Sequence, residues 1–141
     1  MTTIATDGKV MAGDGLITGN GTVHGFNAKK VHRLDDGRIV GICGSVYNYQ
    51  AFLRWVEDES QDRPSLDDES FEALVLHKDG TVKAYDGKCN WAWQEVPAVT
   101  GSGSAIALGA MLAGAKPHEA VGIASQRDTG TGGTIQIEAL A

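Results

Sequence analysis

The sequence lacks the features that mark several common classes of protein. Its formal net charge is −6, with 12 Lys and Arg against 18 Asp and Glu and no basic stripe. This balance disfavours a nucleic-acid partner. Of its two cysteines, neither belongs to a CxxC pair, so no disulfide framework is expected, and Cys43 in its apolar run is predicted to be buried. The four histidines show no metal-ligand spacing.

Long apolar runs are also missing. No stretch approaches the roughly 20 residues that cross a bilayer, and the chain does not open with a basic segment followed by an apolar one. We therefore expect a cytoplasmic protein with no membrane partner. An apolar fraction of 42% over 141 residues favours a single domain, 1–141, with a substantial core. The 19 glycines predict many tight turns in a strand-rich fold.

Hydrophobic periodicity and turn residues predict strands, one helix, more strands, two helices and a last strand. The predicted strands cover residues 3–6, 9–13, 29–34, 38–43, 71–77, 81–85, 89–96 and 134–140, and residues 18–21 are predicted as a glycine-rich loop. The first helix should begin after an N-cap at Ser45 and end near Glu59, followed by a loop or short irregular helix at 60–70. The other two should begin near Ser102 or Ser104 and at Pro117. Two antiparallel sheets packed face to face, with helices outside, accommodate this order.

The first two residues, Met1 and Thr2, carry the first chemical signal. Threonine is small enough for the initiator methionine to be removed, which would leave Thr2 with a terminal α-amine beside its own hydroxyl. An α-amine titrates at about pH 8 and can take the proton from that hydroxyl, which makes the hydroxyl a nucleophile. Many proteins begin in the same way, so this signal indicates a function only together with others.

A series of motifs follows in an order that matches a known family. They are Thr2-Thr3-Ile4, Gly13-Asp14-Gly15, Lys29-Lys30-Val31, Gly41-Ile42-Cys43-Gly44, Gly101-Ser102-Gly103-Ser104 and Arg127-Asp128-Thr129-Gly130-Thr131-Gly132-Gly133. Together they resemble the HslV peptidase and proteasome β-subunit family of N-terminal-nucleophile hydrolases, from Thr2 to about Ile137. Asp14 and Lys30 are sixteen residues apart, as in HslV, whereas the last motif is closer to proteasome β subunits.

The resemblance implies an α+β fold, a four-layer αββα sandwich of two antiparallel sheets. Because only residues 60–70 separate the first helix from the next strand, the second helix of one outer layer should be shortened or missing. The implied activity is that of a threonine endopeptidase that cleaves unfolded proteins or peptides inside a self-compartmentalising homo-oligomeric ring, dodecamer-like or other. An AAA+ unfoldase is an implied partner, and the missing helix leaves ring size and unfoldase docking open. No cofactor is required.

The resemblance also implies a role for each matching residue. Thr2 would be the nucleophile, and its own amine, acting through a water, the general base. Lys30 would be a fixed ammonium beside Thr2, held in place by Asp14, and its positive charge disfavours a second charge on the amine. The N–H of Gly44 would stabilise the oxyanion of the tetrahedral intermediate.

Three further groups of residues have implied roles. Protons would be relayed around the amine by a hydrogen-bonded set formed by Ser102, Asp128 and Thr131. Thr18 and Cys43 would line the substrate strand and its first pocket. A sodium ion at the end of the last helix would be held by the carbonyl oxygens of Ser125, Asp128 and Thr131, since carbonyl ligands suit a hard cation.

Other interpretations stay open, for single residues and for the whole chain. Asp14 could be a turn residue, Lys30 a surface lysine, Ser102 a helix cap and Asp128 a helix end. The protein could also be a non-catalytic scaffold or gating subunit of a ring, or an N-terminal-nucleophile amidohydrolase that acts on a small amide. A scaffold has no need of the polar set described above, and an amidohydrolase tends to need larger insertions that enclose its substrate.

Overall fold

Residues 2–141 are described by the computed structural model of the chain, and Met1 lies outside the described residues. The strands in this range are β1 (Ile4–Thr6), β2 (Val10–Gly13), β3 (Ile17–Gly19), β4 (Thr22–Gly25), β5 (Val31–Arg33), β6 (Ile39–Cys43), β7 (Glu72–Leu76), β8 (Val82–Asp86), β9 (Trp91–Gln94), β10 (Ala98–Thr100) and β11 (Gln136–Ala139). The helices are α1 (Tyr49–Glu57), which follows a 3-10 turn (Val46–Asn48), α2 (Ser104–Leu112) and α3 (Pro117–Ser125). None of these helices is long and apolar enough to cross a bilayer.

The strands form two antiparallel sheets and a separate hairpin. The first sheet has the order β10-β1-β2-β11 and the second the order β5-β6-β7-β8-β9, while β3 pairs with β4. The two sheets pack face to face around an apolar cluster that includes Ile4, Met11, Val31 and Leu74. At Gly41 in β6, a Cβ would lie 2.5 Å from Ile4 Cγ2 and 2.8 Å from Met11 Sδ. The close approach of the sheets therefore requires a residue without a side chain there.

Helices cover the outer faces of both sheets. α2 and α3 pack on the first sheet through small residues such as Ala12, Ala107 and Ala120. α1 packs on the second sheet through a cluster that contains Phe52 and Phe71. Between α1 and β7, the described residues 58–71 contain no helix. The predicted αββα sandwich, with one helix missing from one outer layer, is confirmed.

The structure differs from the prediction at residues 18–21, which are not a loop but the tip of the β3–β4 hairpin. Asn20 and Gly21 have φ values of 51° and 75°. Two successive residues with positive φ form the tight turn that matches the twist of the flanking strands, and Asn-Gly is a preferred pair for it. The predicted loop is therefore wrong for Thr18 and Gly19, which belong to β3, and only Asn20 and Gly21 lie outside the strands.

The first helix begins later than predicted. Ser45 caps the 3-10 turn by accepting a hydrogen bond from the N–H two residues further on, at 3.3 Å, and α1 begins only at Tyr49. The end of α1 at Glu57 is close to the predicted end. α2 begins at Ser104, the second of the two predicted positions, and Ser102 therefore lies just outside the helix.

Candidate active site

The residues directly before β1, the end of β2 and the start of β5 meet at one edge of the two sheets. Thr2 lies two residues before β1, Asp14 directly follows β2, and Lys30 directly precedes β5. β1 pairs with β2, whereas β5 belongs to the opposite sheet. The three residues have exposed fractions of 1%, 0% and 1%. The fold thus places a hydroxyl, a carboxyl and an amino group together, away from solvent.

Lys30 joins the other two residues. Its Nζ donates a hydrogen bond to Thr2 Oγ1 at 3.0 Å and forms a salt bridge with Asp14 Oδ1, also at 3.0 Å. The Asp14 carboxylate accepts three backbone hydrogen bonds as well, from the N–H groups of Thr3 (3.1 Å), Leu16 (3.3 Å) and Gly132 (3.1 Å). A buried charge pair is stable only when its remaining hydrogen-bonding capacity is used, and these backbone donors use it. The amino group is therefore held beside the Thr2 hydroxyl by a fixed carboxylate.

A second polar network contacts the backbone nitrogen of Thr2. Thr2 N donates to Ser102 Oγ at 3.2 Å, and Ser102 Oγ donates to Asp128 Oδ2 at 2.7 Å. Thr131 Oγ1 donates to the same carboxylate oxygen at 2.5 Å. Ser102 lies two residues before α2 and Asp128 three residues after α3. The packing of these two helices on the first sheet therefore brings the three predicted residues together.

The glycines of the Gly101-Ser102-Gly103-Ser104 motif allow this network to approach the first strand. A Cβ at Gly101 would lie 2.1 Å from the Thr2 carbonyl oxygen, and one at Gly103 would lie 2.1 Å from Thr3 Oγ1. The Gly103 N–H also donates to the Thr2 carbonyl at 3.3 Å. Both positions need glycine, Gly101 because the Thr2 backbone occupies the space of a side chain and Gly103 because the Thr3 side chain does.

Sequence reasoning did not select Thr3, although it belongs to this network. Thr3 Oγ1 lies 2.7 Å from Thr131 Oγ1, with both side chains buried. The two consecutive side chains point in different directions, since Thr2 Oγ1 contacts Lys30 while Thr3 Oγ1 contacts the segment after α3. The only signal that could have found Thr3 is the adjacency of two threonines, which is too common to be informative.

A cleft of about 1320 Å³ lies next to Thr2. It is lined by Thr2, Lys30, both strands of the β3–β4 hairpin, the segment 44–49 and residues of the loop 66–70. Thr18 lies on the hairpin and lines the cleft. Its contact with a substrate stays a prediction. The volume of this cleft exceeds the roughly 1,000 Å³ that sites for small ligands reach. The groove beside the buried hydroxyl therefore has room for an extended peptide.

Cys43 lies apart from Thr18. Its side chain, 3% exposed, belongs to the apolar cluster between the two sheets, and Cys43 does not line the cleft. The buried thiol that its apolar surroundings predict is confirmed. Burial, with the neighbouring Glu72 carboxylate, raises the pKa of the Cys43 thiol to about 12. The thiol therefore keeps its proton at neutral pH, and its predicted place in the first pocket differs from its observed place in the core.

Gly44 lies where β6 ends and lines the cleft together with Thr2. Its φ of 112° lies in the region that favours glycine. A Cβ at this position would lie 2.7 Å from Asp68 Oδ2 and 3.1 Å from Phe71 Cα. The conformation of this turn thus depends on glycine in two ways, through the backbone angle and through the space.

The proposed sodium ligands lie at the end of α3 and in the segment after it. Ser125 is the last residue of α3, and the Asp128 carbonyl accepts a hydrogen bond from Thr131 N–H at 3.2 Å. In residues 2–141, no group of three His, Cys, Asp or Glu residues could hold a metal ion. Backbone carbonyls form a different kind of site, so the sodium site at Ser125, Asp128 and Thr131 stays a prediction.

Comparison with known proteins places this geometry in a fold class. No known protein-family model matches the sequence, and no curated protein sequence matches it. Among solved structures, HslV from Trypanosoma brucei matches with a TM-score of 0.76 at 19% identity, over 97% of this chain and 97% of that one. BPH from Thiobacillus denitrificans matches with a TM-score of 0.72 at 19% identity, over 99% of this chain and 98% of its own. BPH in complex with epoxomicin gives 0.69 at 17% identity, with the same coverage.

These matches show that this chain has the αββα sandwich fold of its solved neighbours. More narrowly, it is the fold of HslV, shared along nearly the full length of both chains. At 17–19% identity the likeness concerns the fold. What this chain does has to be argued from its own residues.

Proposed function

We propose that this protein is a threonine endopeptidase of the HslV and proteasome β-subunit family, with Thr2 as its nucleophile after removal of Met1. The observation that carries the proposal is the contact of 3.0 Å between Lys30 Nζ and Thr2 Oγ1, inside a buried ion pair with Asp14. A surface lysine or a turn aspartate would be solvated, whereas these two are 1% and 0% exposed. Burying two charges is costly, so their placement beside a hydroxyl favours a chemical role.

The proposed reaction begins at the Thr2 hydroxyl. Thr2 Oγ1 attacks the scissile carbonyl carbon while its proton passes, through a water, to the α-amine of the same residue. The Lys30 ammonium favours the neutral form of that amine and the developing charge on the oxygen. The tetrahedral oxyanion accepts a hydrogen bond from the N–H of Gly44. The amine then protonates the leaving nitrogen, and water hydrolyses the ester that remains on Thr2.

Ser102, Asp128 and Thr131 support the amine in this scheme. The Ser102 hydroxyl accepts from Thr2 N and donates to Asp128, so it can pass a proton along the network. Asp128 also accepts from Thr131, which fixes the carboxylate relative to the helix ends. The polar set thus orients the base and connects it to the protein backbone.

The proposed substrate is an unfolded protein or peptide that lies in the cleft between the β3–β4 hairpin and the segment 44–49. Thr18, on the hairpin, would pair with the extended substrate backbone. A cleft of about 1320 Å³ is larger than a small amide requires, which weighs against the amidohydrolase alternative. The buried ion pair weighs against a purely structural scaffold, because a well-packed apolar pair would stabilise the fold as well.

Assembly into a homo-oligomeric ring, a cytoplasmic location and a sodium ion near Asp128 are part of the same proposal. The fold shared with HslV supports the first of these. Docking of an AAA+ unfoldase is a separate proposal, because residues 58–71 form a loop where one outer helix is missing. Determination of the oligomeric mass tests the assembly, since about 12 or more chains would favour a ring and a dimer the amidohydrolase.

The test of the chemistry is the intact mass of the purified protein before and after incubation with epoxomicin, which is present in one of the matching structures. An epoxyketone can form a ring with both the hydroxyl and the amine of an N-terminal threonine. We expect loss of Met1 and one adduct in the wild type. Thr2→Ala should form no adduct, and Thr81→Ala, which removes an exposed threonine that does not line the cleft, serves as a control that keeps the nucleophile. Retention of Met1 with no adduct in the wild type would overturn the proposal.

A further inference from the structure

Three aspartates on the surface form the same local turn. Each accepts, through Oδ1, the N–H and the hydroxyl of a Ser or Thr two residues further on. The pairs are Asp58 with Ser60 (3.1 and 2.6 Å), Asp68 with Ser70 (3.0 and 2.6 Å) and Asp79 with Thr81 (3.0 and 2.6 Å). Such turns are common and need no functional explanation. Because Asp58 and Asp79 form the same turn, they can serve as references for Asp68.

Asp68 differs from the other two in the contact of its second oxygen. Asp68 Oδ2 accepts the backbone N–H of Ser45 at 3.0 Å, although the two residues are 23 positions apart. The same oxygen lies 2.7 Å from the position that a Cβ of Gly44 would occupy. The carboxylate therefore fills the space beside Gly44 and binds the peptide that follows it.

This contact fixes the turn that contains Gly44. The peptide plane between Gly44 and Ser45 is the one whose N–H is bound by Asp68, so it cannot rotate without losing a hydrogen bond to a charged group. On the other side, the Ser45 carbonyl accepts the Asn48 N–H at 3.1 Å. With φ of 112°, Gly44 has the backbone freedom to adopt other conformations, and these contacts select one of them.

Asp68 is itself held in place. The preceding Leu66 is 4% exposed in the aromatic cluster under α1, and its carbonyl accepts Asn48 Nδ2 at 2.8 Å. The Asp68 carbonyl accepts the Phe71 N–H at 3.2 Å. The hydrogen bond from the Ser70 hydroxyl, with further donation from the Ser45 and Ser70 N–H groups, lowers the pKa of the Asp68 carboxyl against partial burial. The carboxylate is therefore charged at neutral pH and anchored to the core.

We propose that Asp68 is a positioning residue, which holds the Gly44–Ser45 turn so that the Gly44 N–H points at the developing oxyanion. The inference rests on the proposed function, in which Gly44 supplies that donor. It assigns a task to the loop between α1 and β7, which lines the cleft and is joined to the site through this carboxylate. The oxyanion forms only in the transition state, so a misplaced donor weakens transition-state binding more than ground-state binding. The loss is therefore expected in kcat and not in KM.

The test compares three variants in peptide hydrolysis. Asp68→Ala should lower kcat about 10- to 100-fold and leave KM within about twofold, because one oxyanion donor is typically worth about 100-fold or more. Asp68→Asn keeps an oxygen that can accept the Ser45 N–H and should recover kcat to within about threefold. Asp79→Ala removes the same type of local turn far from the cleft and should leave both constants unchanged. A KM effect without a kcat effect, or equal losses in the Asp68 and Asp79 variants, would overturn the inference.

A second readout does not depend on turnover. Amide hydrogen exchange at Ser45 should become faster in Asp68→Ala but not in Asp79→Ala, because only the first variant loses the acceptor of that N–H. Unchanged exchange in Asp68→Ala would contradict the anchoring. If the wild type fails to react with epoxomicin, the proposed function fails while exchange at Ser45 still decides whether Asp68 holds the turn.

Discussion

The two outer layers of the sandwich cover their sheets with side chains of very different size. Under α2 and α3, the buried contacts are made largely by alanines such as Ala107 and Ala120, which let two helices approach the first sheet closely. Under α1, they are made by rings, with the centroid of Phe52 5.1 Å from Phe71 and 5.3 Å from Tyr85. The single helix α1 covers the central strands β6, β7 and β8 through these large side chains, whereas β9 is exposed. Ring volume thus replaces the missing helix.

The two layers also contribute different parts of the candidate site. Ser102 and Asp128 lie beside the ends of α2 and α3, so their positions depend on regular packed elements. Gly44 lies in the turn before α1, and Asp68 lies in the loop after it. The Ser45 N–H donates to the Asp68 carboxylate and so connects the turn with the loop. The network behind Thr2 is thus held by helix packing, whereas the turn that contains Gly44 is held by individual polar contacts.

The largest effect is expected at Lys30, whose amino group contacts both Thr2 and Asp14. Lys30→Ala should lower peptide cleavage by about 10³-fold or more, since removing a member of a catalytic set typically costs at least that much. Turnover of a fluorogenic peptide measures it, with size-exclusion chromatography to establish that assembly is unchanged. The control is Lys29→Ala, which removes an exposed neighbouring lysine and should be neutral.

Two outcomes of that experiment would be informative in opposite ways. Normal turnover in Lys30→Ala would contradict the mechanism. A variant that does not fold would reflect the buried Asp14 left without its partner, which typically costs about 3–5 kcal/mol. The double variant Lys30→Met with Asp14→Asn removes both charges, so it should fold and still be inactive.

The sequence predicts the layers well because they depend on patterns of many residues. Alternation and turn signals predict the two sheets, and helical spacing predicts the three helices. The face on which Cys43 lies is not predictable in this way, because all five residues of β6 are buried and apolar residues occur on both faces. The contact from Asp68 to Ser45 is equally hidden, since it joins residues 23 positions apart and leaves no local pattern. Local signals thus predict elements, whereas side-chain contacts between elements decide the site.

The difference in size between the two layers predicts a difference in stability. Phe52→Ala should lower the free energy of unfolding by about 3–5 kcal/mol, because Phe52 is 0% exposed and surrounded by rings. Ala120→Gly, in the alanine layer, should lower it by only about 1–2 kcal/mol, the cost of glycine inside a helix together with the loss of one buried methyl group. Urea unfolding of both variants measures the two losses in the free energy of unfolding. Similar losses would mean that the stability of the two layers does not depend on the volume of their buried side chains.

The smallest effect concerns the two cysteines, one between the sheets and one under α1. Burial raises the pKa of Cys43 to about 12, and it raises that of Cys89 as well, although the nearby Arg63 charge opposes the shift. In the unfolded chain a thiol loses its proton above a pKa of about 9, whereas the folded Cys43 keeps it. The folded state then binds more protons, so stability is fully present below about pH 9 and falls as the pH rises towards about 12.

The fall in stability with rising pH can be tested separately for Cys43, between the sheets, and for Cys89, under α1. Between pH 8 and pH 10, the wild type should lose about 1 kcal/mol through Cys43 alone, and Cys43→Ala should lose correspondingly less over the same range. Cys89→Ala should change the slope to a smaller extent, since its thiol lies beside a compensating charge. The raised pKa values of Tyr49 and Tyr85 add a further decline at still higher pH, which all three proteins share. Equal slopes for wild type and Cys43→Ala would mean that water reaches the thiol, and the two sheets would then be less tightly packed beside Gly44 than beside Gly41.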